Sequence, residues 1–298
     1  MKNKKHVILI VVAVLALLLT LSVCINSFKS NKQTKKTVQV GNGATYTSVL
    51  KALIDNGENI VIELKSGIYN IADEYKAQYG NDYFDNYAGF YTSNVFDRGL
   101  NLANGVEIRG EKGAVLLFDY LGGNETVYSS FSVLALTNNN VVDGITIEVN
   151  RNCQYLIHDD FANPEISGKN IIKNCIFKGV QCSTSVIGAG FGKNMSYEIR
   201  NNLFLQDYSS QGYESPVFEK LSIMYHSCAY SDEAESKIII SGNRCSGGIN
   251  LWKTGNSQMV SKATVYNNSA TEIVCKDHPR YPGNDNIKMR SFFNRIKK

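Results

Sequence analysis

Residues 40–71 read VGNGATYTSVLKALIDNGENIVIELKSGIYNI, and this stretch decides the fold. Tyr46, Val49, Leu50, Leu53 and Ile54 recur at helical spacing, which predicts an amphipathic helix over 46–56. Thr45 or Thr47 stands ready as its N-cap and Gly57 as its stop. Residues 37–40 before it and 59–64 after it read as strands, then Lys65-Ser66-Gly67 as a turn and 68–71 as another strand.

Working outward toward the C-terminus, the same strand-and-corner pattern returns as imperfect repeats. GVEIRG (105–110), NVVDGITI (140–147), NIIKNCIF (170–177), YEIRNNLF (197–204), IIISGNRC (238–245) and ATVYNN (263–268) superimpose as a short alternating strand, an Asn or Gly corner and a further inward residue. Aligning Gly110, Gly144, Cys175, Asn202, Asn243 and Asn268 gives intervals of 25 to 41 residues, one coil of a solenoid with loop insertions where the interval is long. Asn suits such a corner because it tolerates left-handed backbone angles and its amide can bond to the coil above and below.

The helix, strand and G-x-Y strand at 40–71 resemble the opening of pectin-lyase-like proteins. That resemblance implies an all-β fold: a single-stranded, right-handed parallel β-helix, residues 37–298, with the N-terminal helix capping the open end of the coil. An end coil exposes strand edges and apolar interior, so a cover is physically required. Residues 73–98, EYKAQYGNDYFDNYAGFYTSNVF and its flanks, predict a Tyr-rich loop insertion. Residues 277–298 turn polar and basic, and 287–296 predict a short terminal helix covering the coil or docking as a tail.

From Val7 to Ile25 the chain reads VILIVVAVLALLLTLSVCI, preceded by Lys2, Lys4 and Lys5. An uncharged run of this length spans ~28 Å as a helix, near a bilayer's hydrocarbon thickness. Residues 1–26 are therefore expected as a signal-anchor or transmembrane segment, with 27–36 as a basic linker and the domain outside the cell membrane; cleavage would instead secrete it. Cys24 reads as a membrane residue rather than a lipid-attachment site.

Charged residues make up only 19% of the chain and the net charge of +4 is more than supplied by the N-terminal lysines. A nucleic-acid footprint on the folded domain is thereby disfavoured. The expected partner is an extracellular or cell-envelope polysaccharide; oligomeric state is not legible.

Two kinds of chemistry compete. A lyase needs an Arg or Lys base and often Ca²⁺, whereas a hydrolase needs paired carboxyl groups. The richest constellation is His158, Asp159 and Asp160, in which His158 and Asp160 face one way and Asp159 the other. Glu198, Arg200 and Asp207 are further catalytic candidates, and His226 ends another strand; no second His is expected to pair with His158 for a metal. Tyr83, Tyr87, Tyr91 and Trp252 are candidate sugar-stacking residues. None of the family's catalytic motifs occurs, so the alternative to a polysaccharide lyase or glycoside hydrolase is a non-catalytic glycan-binding, spacer or adhesin solenoid. Cys153, Cys175, Cys182, Cys228, Cys245 and Cys275 lack metal-binding spacing and read as small apolar residues of the stack rather than disulfides.

Overall fold

The structure is a computed structural model that describes residues 34–81, 100–119, 132–150, 154–159, 168–180, 184–190, 195–207, 220–226, 235–254, 260–278, 282–283 and 286–297. Lys36–Lys298 form one compact unit. Residues 7–25 lie outside the described residues, among which no helix is long and apolar enough to cross a membrane.

Strands run successively through three parallel sheets, and each passage adds one coil to a β-solenoid of about 7 turns, consistent with a right-handed parallel β-helix. One face has nine strands, one seven and one five, with a two-stranded continuation of the last. Alternation along each strand sends every second side chain inward, and register stacks the inward residues coil upon coil. On the nine-stranded face the stack runs Val38, Ile62, Ile108, Val142, Ile172, Ile199, Ile240 and Val265, all buried. On the five-stranded face it runs Tyr69, Leu116, Ile147, Phe177 and Phe204, with the two Phe rings stacked 4.8 Å apart.

The N-terminal end is covered by two helices, α1 (Val49–Asn56) and α2 (Ile71–Tyr79). A parallel bridge to Val40 holds Tyr46 extended, so α1 begins later than its apolar spacing suggests, with Ser48 rather than a threonine capping the Lys51 N–H at 3.1 Å. Gly57 ends it as expected, at φ 69°. Helix α2 corrects the expected loop: Asn70 caps it, and Ile71, Ala72 and Tyr75 supply a buried stripe too short to register as a period. Its Glu74 accepts from Leu50 N–H at 2.7 Å and from Ser48 Oγ at 2.8 Å, placing a carboxylate at the N-terminus of α1. Burial raises the Glu74 pKa and these hydrogen bonds partly offset it.

The corner between the nine- and five-stranded faces divides two roles between adjacent residues. Gly144, Asn174, Asn201, Gly242 and Asn267 take the left-handed conformation. The next residue enters a ladder: Asn202 Oδ1 accepts from Cys175 N–H at 2.9 Å, Asn243 Oδ1 from Asn202 N–H at 3.0 Å, Asn268 Oδ1 from Asn243 N–H at 3.0 Å, and Asn294 Oδ1 from Asn268 N–H at 2.9 Å. Gly144 is therefore level with Asn174, and Ile145 with Cys175, one residue from the alignment expected for that coil.

The C-terminal segment is a further coil, not a helix. Ile287–Phe292 pairs in parallel with Val260–Tyr266, and Arg295–Ile296 with Ser269–Ala270. Ile287 and Met289 alternate inward while Lys288 and Arg290 face solvent, a period of two that outweighs local helical propensity.

Cys175 and Cys245 are free and buried, and burial pushes both thiols up to about 12. Cys275 is free and half-buried, whereas Cys153, Cys182 and Cys228 lie outside the described residues.

Candidate functional site

Strand Tyr155–Asp159 of the seven-stranded face is buried on both sides, and its alternation sets His158 and Asp159 on opposite faces, as their adjacent positions predict. His158 lies in the outward row with Ala135, Gly188, Met224 and Asn250, whereas Asp159 follows Leu136 in the inward row. Inside the coil, Tyr197 donates its phenol proton to Asp159 Oδ2, and Gly190 N–H donates to the same oxygen at 2.9 Å. Burial, with the Asp159 charge beside it, drives the Tyr197 pKa well above its ordinary value, so the phenol stays a donor. Asp159 is thus an interior hydrogen-bonded acid on the opposite side of the sheet from His158.

On the outer side, His158 Nδ1 stands 2.7 Å from the Asp159 carbonyl oxygen. A carbonyl only accepts, so Nδ1 carries the hydrogen and the neutral ring leaves Nε2 without one. His226 Nε2 lies 3.4 Å away and donates to it. This contact between His158 and His226 is not among the sequence expectations, which consider a second histidine only as a metal ligand. The pairing needs Gly188 between the strands: a Cβ there would stand 2.3 Å from His158 Cδ2 and 2.7 Å from Tyr155 Cε1. Burial lowers the His226 pKa to about 3, and His278 adds to the effect.

Trp252, in register with His226, is only 1% exposed and meets His278 edge-on at 4.9 Å. Its ring is a packing element and is closed to sugar. His158 is the penultimate residue of its strand, His226 the last of its own and His278 directly follows another, all on one outer face; the repeated apolar-run-then-His at 155–158 and 223–226 is the sequence signal for this row. Among the described residues no group of three His, Cys, Asp or Glu side chains gathers to hold a metal.

The remaining candidates among the described residues are not brought to His158. Glu198 and Arg200 point outward from the nine-stranded face, where Glu198 pairs with Lys169 at 2.5 Å and with Arg200 at 3.8 Å. Asp207 ends a strand of the five-stranded face. Asp160, Tyr83, Tyr87 and Tyr91 lie outside the described residues.

A surface that the expected terminal helix concealed lies on the last two coils. Tyr266 and Phe292 are in register on the nine-stranded face, their rings 5.2 Å apart and tilted by only 8°. Phe292 is 43% exposed. Phe293 follows at the corner, 83% exposed, its ring edge-on to Phe292 at 5.5 Å. It holds φ 56° in the slot that Gly or Asn fills in the coils above, a strained choice for a bulky side chain. Beyond this corner, on the continuation of the five-stranded face, Arg244, Ser269, Arg295, Ile296 and Lys297 line an open depression of about 890 Å³. The double Phe next to Asn294-Arg295 was the visible trace of this surface in the sequence.

No family model, curated protein or solved structure matches the chain.

Proposed function

We propose that this chain is a non-catalytic, glycan-binding β-solenoid, exported and tethered through residues 7–25, that holds an extracellular or cell-envelope polysaccharide on the outer surface of its last two coils. The observation that carries this reading is the parallel pair of half-buried Tyr266 and exposed Phe292, extended around the corner by exposed Phe293. Pyranose rings present flat C–H faces that lie on such rings, and the Tyr266 hydroxyl adds a polar handle. Conformational strain at an exposed aromatic residue contributes nothing to the core, which favours a role in recognition.

Catalysis has less support. Proton transfer and glycosidic cleavage both require the acting groups to share one solvent-facing site. Among the described candidates, Glu198, Arg200 and Asp207 belong to other faces than His158, and Asp159 lies on the inner side of its sheet; Asp160, the carboxylate expected on the His158 face, lies outside the described residues.

The reading is tested by exposing the purified full chain to a glycan panel and scoring retention and new chain ends separately. Retention without new ends supports binding. New ends that accumulate with time and vanish in His158→Ala would restore the enzymatic reading.

A further inference from the structure

Arg244, Ser269 and Arg295 occupy equivalent outward positions on three successive coils, joined by the parallel bridges Arg244 to Ser269 and Ser269 to Arg295. Adjacent strands are ~4.8 Å apart, so the two guanidinium stems start ~10 Å apart with a hydroxyl midway between them. Lys297 adds an ammonium at the rim, steadied at 2.7 Å by the Cys245 carbonyl oxygen.

These cations differ from the paired lysines of earlier coils on the nine- and five-stranded faces. Lys173 pairs with Asp143 at 2.9 Å, Lys178 with Glu148 at 2.7 Å, and Lys169 with Glu198. Among the described residues, no carboxylate pairs with Arg244, Arg295 or Lys297, and the segment 286–297 contains four cations and no acid. Like charges gathered in a depression repel one another, and a bound anion relieves that repulsion.

We propose that this depression is a phosphate site, and that the polymer held by the solenoid is a phosphate-bearing glycan; the second half rests on the glycan-binding reading above. A carboxylate has two coplanar oxygens and is satisfied by one guanidinium fork. A phosphodiester or phosphomonoester directs oxygens tetrahedrally, so Arg244 and Arg295 can each grip it from opposite sides while Ser269 donates from between. The polymer's neighbouring sugar then reaches around the corner to Phe293 and the Phe292 ring.

The test uses the full chain with inorganic phosphate as the first probe, followed by a phosphodiester-linked glycan, a uronate polymer of matched charge and single-stranded DNA. Saturable phosphate binding should shift the arginine Nε–H resonances of the wild-type chain and weaken at least tenfold in Arg244→Gln and Arg295→Gln, whose melting confirms that they fold. The phosphodiester glycan should bind more tightly than the uronate polymer or the DNA. Phe292→Ala should weaken the glycan and leave inorganic phosphate unchanged. Phosphate binding that is absent, or indifferent to both arginine variants, overturns the site even if neutral glycans are still retained on the aromatic rings. Uronate bound as well as phosphodiester overturns the phosphate assignment, and DNA bound as well as the glycan overturns the glycan assignment.

Discussion

His158 and His226 are 68 residues apart in the chain, yet their Nε2 atoms meet at 3.4 Å on the outer face of the solenoid. The Asp159 carbonyl fixes a hydrogen on His158 Nδ1, which leaves Nε2 of the neutral ring as the acceptor facing His226 Nε2. Burial of His226, with His278 beside it, opposes protonation of its ring, so acid works against this face of the folded chain.

The sign of that effect follows from the His226 pKa of about 3 against an ordinary value near 6.5. The unfolded chain takes up the proton first, so the contribution is fully present above pH 6.5 and is lost as pH falls toward 3. Its steepest slope is about 1.4 kcal/mol per pH unit. Denaturant unfolding at pH 7, 6 and 5 should show this loss in the wild-type chain and a flatter profile in His226→Gln. Parallel profiles would remove His226 from the account.

Gly188→Ala should destabilise the chain by about 1–3 kcal/mol, because the added methyl meets His158 and Tyr155 well inside contact distance. Near-UV circular dichroism should report the displaced Tyr155 ring. A variant as stable as the wild type would mean that the His158–His226 contact is not held as described.

The corner ladder predicts a contrast between two neighbours. Asn268→Ala removes the acceptor of the Asn243 N–H and side-chain amide and strands buried polar groups, at a cost of about 2–4 kcal/mol. Asn267→Gly keeps the left-handed backbone at φ 55° and should stay within about 1 kcal/mol of wild type. Equal effects in thermal unfolding would contradict the division of roles.

Phe177→Asp should abolish folding, since the ring is fully buried against Phe204 and a charge there has no partner. Soluble, normally melting protein would show the five-stranded face to be out of register.

The coil was legible because its signal is repeated. Ile172, Ile199 and Ile240 each precede a corner by the same count, and a period of two needs only a few residues to declare itself. Helix α2 was hidden because only Ile71, Ala72 and Tyr75 turn inward. The last coil is not legible as a strand because Ile287 and Met289, though spaced for one, lie in a segment whose Lys, Arg and Phe content suits a surface helix equally well. Of the candidate site, the alternation placing His158 outward and Asp159 inward was readable from adjacent positions. The His158–His226 contact and the Arg244–Ser269–Arg295 row were not, because loop insertions of unequal length set which residues become neighbours across coils.

The most direct measurement of the central claim is the mobility of the full chain in native gels containing a retained glycan, compared with Tyr266→Ala and Phe292→Ala. The account predicts a retarded wild-type chain and at least a fivefold weaker apparent affinity in each variant, about 1 kcal/mol per lost stacking ring, with melting unchanged within a few degrees. Equal retardation of all three proteins would contradict it.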